Sequence, residues 1–200
     1  MEGLSRAERR QTVGVLLKAL CEDKPRLAWG AALALGDIGD KGSCKPLRDV
    51  VRSRLSSETR QAAVVAIRDL GDHKAVGVLA RVLNDANEPS SLRGEAAEAL
   101  GWCGFGSRRA VSVLIKALGD DSTEVRLFSA NALGFIGDKR AIPALKSLLK
   151  DRAVVKPFGS VSKDALRSIM IIEERPWKYS LRPTPPARGA RLRGGATGRK

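Results

Sequence analysis

Few residues in this chain could do chemistry unaided. It has one histidine, His73, directly after Gly71-Asp72. A lone histidine in a loop reads as a surface residue, with no second histidine to share a metal. The cysteines, Cys21, Cys44 and Cys103, are odd in number and fit no metal-ligand or redox spacing. They read as reduced, mostly packing residues. There is no Ser-His-Asp arrangement, glycine-rich phosphate loop or Cys-x-x-Cys pair. Acidic pairs such as Asp120-Asp121 fall where a turn between helices uses them as caps. The expectation is a protein that is not an enzyme, with no catalytic residues, no metal and no cofactor.

Two sets of side chains recur in register and could bind. Arg60, Arg93 and Arg126 share one column, where the first repeat has Ala28. A guanidinium presents a fork suited to carboxylate or phosphate, so the column could clamp an anionic partner. The favoured reading is a structural ladder, each arginine pairing with a carboxylate or loop carbonyl of a neighbouring repeat, such as Asp40, Asp72 or Asp138. The second set is apolar. Trp29, Trp102, Leu127, Phe128 and Phe135 stand where the repeat needs no large apolar group. Such residues serve as anchors for a partner, or pack on the adjoining repeat and cover the end of the stack. Asp37, Asp69, Glu95 and Glu98 form a charged rim around them.

A short phrase places these residues. It reads ALGDIGD at 34–40, AIRDLGD at 66–72, ALGWCG at 99–104 and ALGFIGD at 132–138, with a worn copy, ALRSI, at 165–169. The last glycines, Gly39, Gly71, Gly104 and Gly137, are spaced 32, 33 and 33 apart. Self-similarity at this period marks a solenoid. Each period holds two helical patterns. In the fourth, Val111, Leu114, Ile115 and Leu118 recur at helical spacing, Gly119 to Ser122 break the helix, and a second helix runs to Gly137. The prediction is all-α: an α-solenoid, armadillo-like, of about five HEAT-like helix pairs. First helices are expected at about 6–21, 44–55, 74–84, 108–118 and 140–150. Second helices are expected at about 25–38, 57–70, 90–103, 122–136 and 160–173. The solenoid spans 1–174, with repeats at about 6–40, 41–72, 73–106, 107–138 and 139–174. Residues 175–200 are expected to be a disordered basic tail rich in Pro, Gly and Arg.

The pattern resembles the HEAT-like repeat of the phycobilisome-lyase type over about residues 11–170. The resemblance rests on a first helix such as AVSVLIKALGD, an acidic turn, a Val-Arg pair and A-x-A-L-G-x-I-G-D. It implies stacked helix pairs sharing one core. Some proteins of this type are bilin lyases or their partner subunits, handling open-chain tetrapyrroles on antenna proteins. A tetrapyrrole would suit Trp102, Phe128 and Phe135. Deoxyhypusine hydroxylases, also HEAT-repeat enzymes, hold iron through His-Glu pairs, and this chain has none.

The formal charge is +14, and residues 175–200 supply eight Lys/Arg with no Asp/Glu, leaving +6 on residues 1–174. The charge points to the tail, including Arg188, Arg191, Arg193 and Arg199, as a place where nucleic acid could bind. The start, MEGLSRAERRQ, reads as no signal peptide, and no stretch of 18 apolar residues occurs. A cytoplasmic location is expected. Three functions follow. The first is a non-catalytic scaffold binding a partner protein or peptide on the second-helix, concave face. The second is a bilin lyase-like subunit or a chaperone for a tetrapyrrole-binding protein. The third is a nucleic-acid-associated protein using the tail.

Overall fold

The computed structural model describes residues 5–174. The described residues form an α-solenoid of five helix pairs. The first helices are α1 (Arg6–Cys21), α3 (Cys44–Arg52), α5 (Val76–Asn84), α7 (Arg108–Ala117) and α9 (Ile142–Ser147). The second helices are α2 (Pro25–Ile38), α4 (Ser57–Leu70), α6 (Ser90–Cys103), α8 (Thr123–Ile136) and α10 (Val161–Glu174). Each second helix packs on the next, and α1, α3, α5 and α7 form the other layer. The tail and its Arg188, Arg191, Arg193 and Arg199 lie outside the described residues.

The recurring phrase explains the regularity. Gly39, Gly71 and Gly137 end their helices in the left-handed conformation, with φ of 70°, 60° and 76°. A side chain is disfavoured there. The aspartate that follows turns the chain. Asp40, Asp72 and Asp138 accept from the N–H groups of Gly42, Lys74 and Arg140. The third copy lacks that aspartate, and Ser107 caps α7 instead through the Ala110 N–H. Leu35, Ile67, Leu100 and Leu133 are fully buried. Each such side chain contributes about 1.5–3 kcal/mol relative to exposure.

The glycine after Ala-Leu sets how closely the second helices approach. A Cβ on Gly101 would lie 3.0 Å from both Cα and Cβ of Ala132 in the next repeat. One on Gly134 would lie 2.6 Å from Ser168 Oγ, and one on Gly36 would lie 3.1 Å from Asp69 Cβ. Ala132, which Gly101 meets, is buried, as are Ala66 and Ala99 in the same column, whereas Ala34 of the first repeat is half-buried. In repeat two the glycine slot holds Arg68.

The arginine column bridges adjoining repeats at their inter-helix turns. Arg60 pairs with Glu88 and Arg93 with Asp120. Arg126 Nε donates to Asp151 at 2.8 Å, and its Nη1 donates to the carbonyls of Asp120 and Asp121 at 2.8 and 3.0 Å. The partners differ from Asp40, Asp72 and Asp138, for a geometric reason. The arginines lie one turn into their helices, and those aspartates follow the far ends, about 16 Å away along the axis. Asp72 instead pairs with Arg48, and Asp138 with Arg140. A further link joins repeats one and two. Asp23, itself at φ 54°, accepts from the Ser56 N–H at 3.0 Å, and Ser56 caps α4 through the Thr59 N–H.

One element lies outside the helical plan. After Asp151 the chain makes a hairpin, β1 (Val154–Val155) antiparallel to β2 (Gly159–Ser160), with Val154 opposite Ser160. α9 is correspondingly short.

Two outcomes test this account. Gly101→Val places branched carbons against the Ala132 backbone, and is expected to lower unfolding free energy by about 2–3 kcal/mol in urea denaturation. Arg126→Met keeps the stem but strands Asp151 and two carbonyls. A loss of about 1–3 kcal/mol is expected, against almost none for exposed Arg140→Ala.

Candidate partner-binding face

α6 brings the candidate residues together. Glu95, Glu98 and Trp102 stand at i, i+3 and i+7, so they share one face of the helix. Phe128 and Phe135 stand seven apart on neighbouring α8. The Trp102 and Phe135 rings meet at 5.0 Å between centroids, tilted by 34°. That distance lies in the range of favourable aromatic pairs. Phe135 is 38% exposed and Trp102 half-buried, so the pair presents an apolar surface to solvent. Beside it, Phe128 meets Phe158 of the hairpin edge-on at 5.3 Å. Phe158 is half exposed.

Arg68 brings charge to the centre of the face. Its Nη1 donates to Glu98 at 2.8 Å and to Glu95 at 3.5 Å, and its Nε donates to Asp69 at 3.1 Å. One guanidinium therefore serves three carboxylates. Burial raises the Glu95 carboxyl from 4.5 to about 7, with repulsion from Glu98 and Glu124 adding to it. Arg68 and a hydrogen bond from Gln61 oppose the shift without cancelling it.

Other expected site residues sit elsewhere. Leu127 is 1% exposed and belongs to the core, so it is no partner anchor. Trp29 is half-buried against the core in repeat one, on α2 and two repeats from Trp102. Phe128 also packs on the core and presents part of its ring to Phe158. Asp37 is exposed on α2, while Asp69 and Glu98 are ion-paired to Arg68. Val65 and Ala62, on the same helix face by sequence register, are buried.

Sequence reasoning missed two contributors. Arg68 was visible as a departure from glycine in the recurring phrase, one it shares with Arg167 of the worn fifth copy. Phe158 carried only the turn signal of Pro157 and Gly159 on either side. Two of the cysteines pack as expected, whereas Cys21 is exposed and Asp120 pairs with Arg93 rather than capping α8. Cys44 and Cys103 are buried, and burial pushes the Cys103 thiol up to about 12. His73 Nδ1 lies 2.8 Å from the Cys103 carbonyl, at the end of α6. Among the described residues, no cluster of His, Cys, Asp or Glu could hold a metal ion, and no helix is long and apolar enough to cross a membrane.

Stacked helix pairs with ladder-linked turns define a class. A family model for HEAT repeats matches residues 1–68 and 83–156, and the chain belongs to that family. The chain is 40% identical over 95 residues to phycocyanobilin lyase subunit alpha of Picosynechococcus sp., covering 44% of this chain and 35% of that relative. It thus spans about a third of the length of the curated relative it matches. In fold it is similar to the phycocyanin lyase complex of CpcE and CpcF from Nostoc sp., with a TM-score of 0.63 at 17% identity over 79% of this chain and 98% of that one. Computationally designed armadillo repeat proteins for modular peptide recognition align with a TM-score of 0.51 at 21% identity, covering 78% of this chain and 80% of theirs. The lyase relative corrects one expectation. The expectation that the protein is not an enzyme is overturned by its 40% identity, over 95 residues, to a lyase subunit.

The carboxylate cluster predicts a pH effect. Glu95 holds its proton more tightly folded than unfolded, so stability falls as pH rises from 4.5 through about 7. Glu95→Gln is expected to flatten this slope and to raise stability at pH 8 by about 1–2 kcal/mol. Urea midpoints at pH 5 and pH 8 check this.

Proposed function

We propose that this chain is a subunit of a bilin lyase-like assembly, working with a protein partner held along its second-helix face. The observation that carries this reading is the 40% identity to phycocyanobilin lyase subunit alpha. The geometry supports it. Trp102 and Phe135 form an exposed aromatic surface, and Phe128 with Phe158 forms a second one beside it. Flat conjugated ligands gain by stacking on such rings. In this reading the chain's residues orient and shield the tetrapyrrole while the partner carries it. Trp102 and Phe135 are the contact residues, Asp69 and Glu98 select the partner, and Asp37 lies at the far rim. The carboxylates on α4, α6 and α8 disfavour nucleic acid on this face, since phosphates would meet like charge.

Phycocyanobilin added to the full chain, alone and with a candidate acceptor protein, is expected to change the visible absorbance of the bilin. Trp102→Ala with Phe135→Ala is expected to weaken this response by about tenfold, or ~1.4 kcal/mol. Unchanged spectra under both conditions would sink the reading.

A further inference from the structure

We infer that the α6 region of the second-helix face docks a cationic segment of the protein partner. Its Lys or Arg side chains would seat on Glu95, Glu98 and Asp69, and its apolar residues on Trp102 and Phe135. This deepens, and rests on, the reading that a protein partner lies along this face.

The first support is charge. Asp69, Glu95 and Glu98 share Arg68 as their cation, and Glu124 of α8 adds to the negative potential at Glu95. A partner cation would supply what one guanidinium cannot. The second support is the adjoining apolar surface. Phe135, Phe158 and Trp102 give the segment somewhere to bury its apolar residues, which acids alone would not. Desolvated aromatic anchors provide most of the energy at such surfaces, and charge selects among partners. The third support is spacing. From Glu95 to Trp102 the helix rises about 10 Å. A partner helix with a basic residue and an apolar residue two turns apart matches that distance. Glu95 adds a further readout. A cation beside it returns its carboxyl toward the ordinary range, so docking near pH 7 releases a proton.

The test uses the full chain and two fluorescent helical peptides of about 18 residues. They share one leucine pattern and carry either arginine or glutamate at the charged positions. In anisotropy titrations at about 50 mM salt, the arginine peptide is expected to bind at least about tenfold more tightly. Glu98→Gln should remove most of that advantage, and Phe135→Ser should weaken binding of the arginine peptide itself, with melting curves verifying that both variants fold. Calorimetry in buffers of different ionisation enthalpy should detect proton release that Glu95→Gln abolishes. Equal binding of the two peptides, or an arginine peptide indifferent to both variants, overturns the inference. A peptide of residues 175–200 that outcompetes the arginine peptide at the same residues also overturns it, by making the chain's own tail the occupant. Bilin absorbance is measured on the same samples. A bilin response without charge preference defeats only this inference, whereas no response to bilin defeats the reading beneath it.

Discussion

The close approach of successive second helices is the constraint on which the rest depends. Where Gly101 meets Ala132 and Gly134 meets Ser168, one helix backbone rests almost directly on the next repeat. That contact leaves no room for a side chain, so the small residues recur with the period of the fold. It also fixes the pitch at which the arginines meet the turns ahead. Arg60, Arg93 and Arg126 reach Glu88, Asp120 and Asp151 because each turn arrives at the same height. A repeat array of this kind derives its stability from neighbour-to-neighbour interfaces, with no single central core.

The candidate site arises where that constraint is relaxed. Repeat two has Arg68 in the glycine slot, and the neighbouring repeat answers with Glu95 and Glu98. The packing defect becomes a charged centre on an otherwise apolar interface. Trp102 and Phe135 occupy the next slot along the phrase, in the last two full copies. Position within the repeat therefore brings structural variation and ligand-facing variation side by side on one face.

Most of the fold was legible in the sequence, since a repeat displays its own register several times. Every helix falls within a few residues of its expected range, and the capping glycines mark the ends. The site was legible in part. Trp102 and Phe135 stood out because they depart from the consensus. Leu127 misled, because a large apolar residue beside a core column has the same composition whether it points inward or outward. The ladder partners were misassigned because sequence gives order but not height along the stack. The hairpin left no periodic signal at all, yet it supplies Phe158, and Arg126 fixes its start through Asp151.

The direction of the links between repeats bears on how the chain is made. Asp23 of repeat one holds Ser56, the residue that caps α4 in repeat two. Each ladder arginine likewise reaches forward, to a carboxylate that comes 25 to 28 residues later. A chain leaving the ribosome therefore carries one unanswered arginine at its growing end, and the next turn to emerge answers it. Synthesis and stacking proceed in the same order, with every new repeat finding a finished surface behind it.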